Sequence, residues 1–233
     1  IKEKMDLDIQ VQKLKLLKSN FLSEKYSLED KIIKYYPQRI TSLENRINGL
    51  TADVETAKQH PKPTDDRFVG MEVKGVFYSE KAEAGKAIIA ACKEMTSPAP
   101  VPLGRYRGFE TELSFDTTER FYCVTIKGET GKQVSLGDDV FGNITRIDNA
   151  VERFADDLEK AKDSLADTKN QFETAQKEVQ KPFVQEEELK SKLARLDELN
   201  ILLNMDKKEN EIVGGEPDEG ESTEKRKEKS YER

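Results

Sequence analysis

The second half of the chain carries apolar residues at alternating spacings of three and four. This seam runs from Ile144 to Val179, and Thr168 fills one of its positions. Glu, Lys, Asp and Gln occupy most positions between, so the repeat is that of a coiled coil over about five heptads. The pattern predicts a long helix whose apolar stripe needs a covering partner. The members of the seam are Ile144, Ile147, Val151, Phe154, Leu158, Ala161, Leu165, Phe172, Ala175 and Val179.

A matching seam lies in the first half of the chain. Because the two seams flank one central region, which the chain must leave and re-enter at adjacent points, we expect 33–57 and 144–179 to pair antiparallel. An earlier helix is indicated by Val11, Leu14, Leu17, Phe21 and Leu28. The members of the first-half seam are Ile33, Tyr36, Ile40, Leu43, Ile47, Leu50, Val54 and Ala57.

Two prolines interrupt these helical patterns. Pro37 falls inside the first seam, so we expect a kink or a break near Tyr36. Pro182 ends the second seam, and the leucines after it indicate a further helix that reaches about Met205. The residues from Asp206 onward are rich in Gly, Glu and Lys and are predicted to be disordered, because they have little apolar surface to bury.

The middle of the chain has a different pattern. The stretch FVGMEVKGVFYS alternates and has Gly75 at its turn, which is typical of a hairpin. SEKAEAGKAIIAACKEM has the apolar spacing of a helix, and SPAPVP is interpreted as a loop. The remaining strand candidates are YRGFETELSFD, RFYCVTIKG and KQVSLG.

These elements predict the α+β class. The expected architecture is a long antiparallel coiled-coil helical arm with a small inserted α+β domain, made of a hairpin, a helix and three strands, at its tip. The predicted ranges are 1–62 for the first arm, 63–142 for the small domain, 143–205 for the returning arm and 206–233 for a disordered charged tail.

Composition narrows the class of function. The chain has 233 residues, of which 35% are hydrophobic and 36% charged, and its net charge is −7. Contact with nucleic acid over the whole surface usually needs a basic protein, so any such contact must be local. No apolar run approaches the ~20 residues of a membrane span. The start IKEKMDLDIQ lies in mid-helix pattern and has no initiator Met, which we interpret as a fragment of a longer protein.

The sequence contains no recognisable catalytic constellation. His60 is the only histidine, and a metal site needs three or four ligands. GKAI lacks the remainder of a phosphate-binding loop, and Asp138 and Asp139 lack the spacing of a calcium loop. Cys92 and Cys123 are interpreted as core residues of a protein in a reducing compartment. We therefore predict no catalytic residues, no metal and no cofactor, and an independent enzyme is the least favoured class.

The stretch GRYRGFE has two open interpretations. It is either the start of a strand with exposed arginines, or a loop that contacts phosphate or a partner, since Arg and Tyr are enriched in such contacts. From Phe109 onward the chain alternates as a strand with one buried face. The candidate nucleic-acid contacts are Arg105, Tyr106, Arg107, Lys74, Lys127 and Lys132.

Several long stretches closely resemble one family, the C-terminal end of very large Swi/Snf-like DNA helicases. These helicases are often fused to an adenine-specific DNA methyltransferase and are encoded on integrative conjugative elements and phages of Firmicutes. The helicase and methyltransferase motifs themselves do not occur in this sequence, so no ATP-binding or methyl-donor-binding residue is carried over. The stretches are IKEKMDLDIQVQKLKLLKSN, LEDKIIKYYPQRI, GRYRGFETELSFD, VSLGDDVFGNITRIDNAVE and KPFVQEEELKSKLARLDELNILLNMD.

The resemblance implies a bacterial, cytoplasmic, DNA-processing parent protein. The expected role is a non-catalytic appendage that contacts DNA or a partner through its tip domain, with the upstream helicase motor as a partner in the same parent chain. The alternative is a purely structural module that packs on the motor, or forms a homodimer through the heptad seam, without touching nucleic acid. The residues leave DNA, RNA and protein open as the partner of the tip, and they indicate no membrane contact.

Overall fold

The computed structural model describes residues 2–63 and 67–213 of an α+β protein. This confirms the predicted fold class. The α-helices of the described residues are α1 (Lys2–Asp30), α2 (Tyr36–Gln59), α3 (Lys81–Glu94), α4 (Val140–Glu178) and α5 (Glu186–Val213). The strands are β1 (Met71–Val73), β2 (Val76–Tyr78), β3 (Val101–Tyr106), β4 (Phe109–Asp116), β5 (Phe121–Lys127) and β6 (Lys132–Ser135).

The strands form a single antiparallel sheet in the order β2-β1-β3-β4-β5-β6. Two-residue turns join β1 to β2 and β3 to β4. In the second of these turns, Arg107 and Gly108 have φ of 46° and 80°. Positive φ at both central positions is the mark of a type I′ turn, whose twist matches that of the paired strands. Lys74 and Gly75, with φ of 49° and 78°, form the equivalent turn between β1 and β2.

The strand β3 corrects the sequence interpretation, in which SPAPVP was a loop. Val101 and Pro102 pair with β4, and a register shift between Pro102 and Gly104 lets the sheet accommodate the proline. Gly104 also lies against β1, where an added Cβ would approach the Glu72 carbonyl oxygen to 1.9 Å. A glycine is therefore needed at this close approach of two backbones.

One face of the sheet packs on α3 and on the first turns of α4. Leu113 and Val124 of the sheet lie in the same core as Ile147 and Phe154 of α4, and the rings of Phe109 and Phe154 are 5.3 Å apart. The early part of the second-half seam thus covers the apolar face of the sheet. This follows because a sheet with one apolar face needs a second layer, and the stripe of α4 provides it.

Helix α4 also pairs with α2 along its length. Tyr36 meets Phe172 at 5.5 Å between ring centroids, and Glu44 forms an ion pair of 3.0 Å with Lys169. Further along α2, Val54 packs against the same core as Val151. The chain positions rise along α2 while their partners fall along α4, so the two seams run antiparallel within one chain, as predicted.

The predicted interruption near Tyr36 takes the form of a π-helical turn, Lys31–Tyr35. The Tyr36 N–H bonds the Lys31 carbonyl oxygen, five residues back, and Pro37 follows at the start of α2. A wider turn relieves the contact that proline would make with the carbonyl group of the preceding turn. The predicted break at Pro182 is confirmed, since α4 ends before it and α5 begins after it.

The chain divides into two compact units. Residues 27–180 form the larger unit, and the described residues before 27 and after 180 form the smaller. In the smaller unit, α1 and α5 are antiparallel and share a core. The ion pairs Lys18–Glu186 at 2.8 Å and Glu3–Arg195 at 3.1 Å follow the same antiparallel order. The shared core consists of Val11, Leu14, Leu189 and Leu196.

The C-terminal end of the chain differs from the sequence prediction in one respect. Helix α5 continues to Val213, beyond the predicted end near Met205. The remainder of the predicted tail, 214–233, lies outside the described residues. Across residues 2–63 and 67–213, no helix has both the length and the apolar character that a membrane span requires.

Candidate functional site

Tyr106, a predicted contact residue, is buried at the end of β3 and only 4% exposed. Its hydroxyl donates a 3.0 Å hydrogen bond to Asp148 Oδ1 on α4, and its ring stacks on Phe68 at 6.2 Å. Burial, together with the charge and hydrogen bond of Asp148, raises the pKa of Tyr106. A ring enclosed in this way has no free face for a nucleobase.

Arg107 is buried beside Tyr106 and is 8% exposed. Its Nε donates to the His60 carbonyl oxygen at 2.9 Å. Its Nη1 donates to Asp148 Oδ1 at 2.9 Å and also to Glu152. Burial lowers the pKa of Arg107, but its hydrogen bonds with Glu152 and Asp148 outweigh that effect and raise it overall.

These contacts fix the β3–β4 turn to α4 and to the end of α2. The prediction that Tyr106 and Arg107 are exposed contacts for nucleic acid is therefore wrong, because both side chains are buried. The I′ turn directs the guanidinium towards Asp148 and Glu152, and moving it to a phosphate would leave those carboxylates without this partner. Lys62 also contacts Asp148, with its Nζ 3.2 Å from Oδ2.

Three further candidate nucleic-acid contacts are exposed, and each contacts a carboxylate. Arg105 pairs with Glu110 at 3.3 Å, and Lys127 pairs with Glu112 at 2.8 Å, on the solvent face of the sheet. The hydrogen bond to Glu112 raises the pKa of Lys127. The third residue, Lys74, is paired with Glu94 at the β1–β2 turn. Such exposed pairs are weak, so these cations are accessible but sit beside acidic groups that would repel a phosphate.

The last candidate, Lys132, joins β6 to α4. It pairs with Asp157, and its Nζ lies 5.4 Å from the centre of the Phe154 ring. On the neighbouring loop, Asp53 of α2 accepts hydrogen bonds from the backbone N–H groups of Glu129 at 2.7 Å and Thr130 at 3.0 Å. Lys132 and Asp53 are thus structural anchors between the sheet and the helix pair.

Sequence reasoning missed a basic groove between α2 and α4, with a volume of about 260 Å³. Arg39 and Arg46 of α2 and Lys160 of α4 line it. All three side chains are exposed, and none of them makes a hydrogen bond or ion pair with any residue in the described part of the chain. Hereafter "basic groove" means this groove. Its other lining residues are Ser42, Leu43, Asp157, Ala161 and Ser164.

The sequence predicts only part of the basic groove. Arg39 and Arg46 are seven positions apart, which places them two turns apart on one face of a helix. What brings Lys160 opposite them is the antiparallel register of α2 and α4. Asp157 is the acidic member of the lining, and its carboxylate already contacts Lys132. The three cations therefore leave a local positive site on a chain of net charge −7.

The other chemically reactive side chains serve the fold. Cys92 and Cys123 are buried and unpaired, and burial raises the pKa of Cys92 to about 11. The Asp139 carboxylate accepts hydrogen bonds from Phe141 N at 3.1 Å and Gly142 N at 3.0 Å, so it caps the start of α4. Among the described residues, no group of three or more His, Cys, Asp or Glu side chains is arranged to hold a metal ion.

No family model, curated protein or solved structure matches the chain.

Proposed function

We propose that this chain is a non-catalytic C-terminal appendage of a mobile-element DNA helicase and that it contacts DNA. The sequence resemblance suggests this parent protein. It also suggests that the helicase is fused in some cases to a methyltransferase and that it acts in the bacterial cytoplasm. In this proposal the α2–α4 pair is a coiled-coil arm that carries the sheet and α3 at its tip. The arm holds a DNA contact at a distance from the upstream motor, and the motor carries out the ATP-dependent reaction.

The joint between helix pair and sheet supports the role of an arm. Asp53 of α2 holds the β5–β6 loop, while Asp148 of α4 holds the β3–β4 turn through Arg107. Lys132 of β6 contacts Asp157 of α4. Because both helices are tied to the sheet by buried or half-buried polar contacts, the sheet and the helix pair would move together when a motor displaces them.

The single observation that carries DNA contact is the basic groove. A guanidinium presents a rigid fork of donors that matches the oxygens of a phosphate. Arg39, Arg46 and Lys160 have no carboxylate partner in the described residues, so binding a phosphate would break no existing ion pair. This accords with the sequence expectation that contact on an acidic chain must be local, although it moves the contact away from the β3–β4 turn.

A salt titration with two matched double variants tests this proposal. Arg39→Gln/Arg46→Gln removes two cations that have no carboxylate partner among the described residues. Arg105→Gln/Lys127→Gln removes two that are paired with glutamates. Both variants lose the same formal charge. Binding of labelled single-stranded and duplex DNA to the 233-residue chain is measured by fluorescence anisotropy from low to physiological salt.

We expect the groove variant to weaken binding and to reduce the slope of log K against log salt by about 1 to 2. The paired-cation variant should change the slope much less. If the paired-cation variant has the larger effect, the contact lies on the sheet and the assignment to the groove is wrong. If the unmutated chain binds neither DNA at low salt, the proposal of DNA contact is wrong.

A second candidate function, structural packing, is favoured by the smaller unit. Exposed apolar side chains lie on both of its helices, and those of α1 lie opposite its buried stripe. The α2–α4 seam is already filled within one chain, so a homodimer would have to use another surface such as this one. Packing on the motor, or on a second copy, would persist at high salt, because apolar contacts are not screened. The exposed side chains are Met5, Ile9 and Leu16 of α1 and Ile201, Leu202 and Met205 of α5.

A further inference from the structure

Tyr35, at the end of the π-helical turn, is 54% exposed although it belongs to an aromatic cluster. Its ring meets Tyr36 edge-on, with centroids 5.3 Å apart and an interplanar angle of 70°. Tyr36 is in turn buried against Phe172. The Tyr35 ring therefore rests on a fixed neighbour and keeps more than half of the residue open to solvent. An aromatic side chain with few rotatable bonds loses little freedom when a ligand stacks on it.

Tyr35 directly precedes α2 and already has helical backbone angles, with φ of −66° and ψ of −54°. It therefore continues the residue spacing of α2 at the start of that helix. Counting from Tyr35, the positions Arg39, Ser42 and Arg46 follow at spacings of four, three and four. Residues at these spacings lie in one row along a helix. Tyr35 therefore extends the row of α2 residues that line the basic groove.

The order of side chains along this row is aromatic, cationic, hydroxyl, cationic. Proteins that bind single-stranded DNA combine cations that follow the phosphate backbone with aromatic rings on which bases stack. A base in a duplex is stacked on both faces within the helix and has no face to offer, whereas an unpaired base does. The row would suit a duplex only through its cations and would suit a single strand through both kinds of side chain.

We propose that the basic groove and Tyr35 together bind single-stranded DNA, with Arg39, Arg46 and Lys160 at phosphates and Tyr35 as a stacking surface for one base. This inference rests on the DNA contact proposed above and adds a preference for the single strand. It replaces Tyr106, one of the candidate contacts named from the sequence, with a tyrosine whose ring is accessible.

The test compares single-stranded with duplex affinity for variants of one ring. The probes are a labelled oligothymidine of about 15 nucleotides, within the usual range of single-stranded sites, and a duplex of the same length. Tyr35→Leu removes the ring, Tyr35→Phe keeps it, and Tyr26→Leu removes another exposed tyrosine, located on α1. Thermal melting of each variant checks the fold, which an exposed side chain should affect little.

We expect Tyr35→Leu to weaken binding to the oligothymidine roughly 5- to 150-fold and binding to the duplex less than about 2-fold. Tyr35→Phe should restore the single-stranded affinity, and Tyr26→Leu should match the unmutated chain. If Tyr35→Leu leaves single-stranded binding unchanged, or weakens both probes equally, the stacking role is wrong while the DNA contact stands. If the unmutated chain binds neither probe, the proposed function itself is rejected, and this inference with it.

Discussion

Arg107 donates a 2.9 Å hydrogen bond from Nη1 to Asp148 Oδ1 across 41 residues of chain. Arg107 lies at the first position of the β3–β4 turn, and Asp148 lies in the third turn of α4. The pair joins the sheet to the helix that covers it, and both residues are buried. In the stretch GRYRGFE, Arg107 therefore holds the sheet to α4 and is not available to a phosphate.

Breaking this pair should destabilise the larger unit. Asp148→Ala leaves the buried Arg107 guanidinium with only Glu152 and one carbonyl oxygen as acceptors, and we expect a loss of about 3–5 kcal/mol in the free energy of unfolding. The matched change Glu110→Ala, which removes the exposed partner of Arg105, should stay within about 0.5 kcal/mol. Urea denaturation followed by circular dichroism measures both. Similar midpoints for the two variants would show that the buried pair contributes little.

A charge placed in the seam should be far more damaging than a change beside it. Leu158 is buried in the main core, so Leu158→Asp would bury a carboxylate without a partner, at a cost of several kcal/mol. The neighbouring Glu159 is exposed and pairs with Lys162 only on the helix surface. We expect Glu159→Gln to change stability by less than about 0.5 kcal/mol. Thermal melting of both variants checks this, and equal melting temperatures would mean that the seam is in another register.

The antiparallel pairing of α2 and α4 should be visible by cross-linking. Val54 and Val151 line one cleft between the two helices, so cysteines at both positions should react with a single short bismaleimide. The product should be a cross-linked monomer whose yield does not depend on protein concentration. Each single-cysteine variant serves as a control. Products of twice the monomer mass alone would instead place the second seam in another copy of the chain.

Stability should fall in alkaline solution in part because of Cys92. Its thiol has an ordinary pKa of 9.0, and burial raises it to about 11 in the folded protein. The unfolded chain then loses this proton at lower pH than the folded chain, so stability falls with rising pH. The contribution is present in full below pH 9.0 and is lost as the pH rises through about 11. Urea midpoints at several pH values should decline less steeply above pH 9.0 for Cys92→Ala than for the unmutated chain.

Local patterns predicted most of the secondary structure. The heptad spacing identified α2 and α4, because an apolar stripe on a polar helix has to be covered wherever it finds a partner. Alternation from Phe109 onward identified β4, since one side of a strand faces the core. β3 escaped prediction because Pro102, the two prolines shortly before it and Gly104 are typical of loops. It forms a strand because β1 and β4 lie on either side and supply its hydrogen bonds.

The candidate site was much less predictable than the helices. Arg105, Arg107 and Lys132 look alike in the sequence, yet one is exposed beside a glutamate and two are held by carboxylates of α4. Arg39 and Arg46 lie at polar positions between the apolar residues of the first-half seam, and no sequence signal distinguishes them. The difference among these cations lies in which acidic groups approach them from distant parts of the chain.

The sequence by itself determined where most of the helices and strands form, where prolines interrupt the helices, and that the chain is too acidic for extended contact with nucleic acid. Those properties depend on spacing, backbone chemistry and total charge, which are local or additive. Only the tertiary structure decided that Tyr106 is enclosed while Tyr35 is open. It also decided that Arg107 is paired, while the Arg39 side chain has no partner among the described residues. Solvent access and ion pairing depend on side chains brought together across the fold, and no local pattern contains that information.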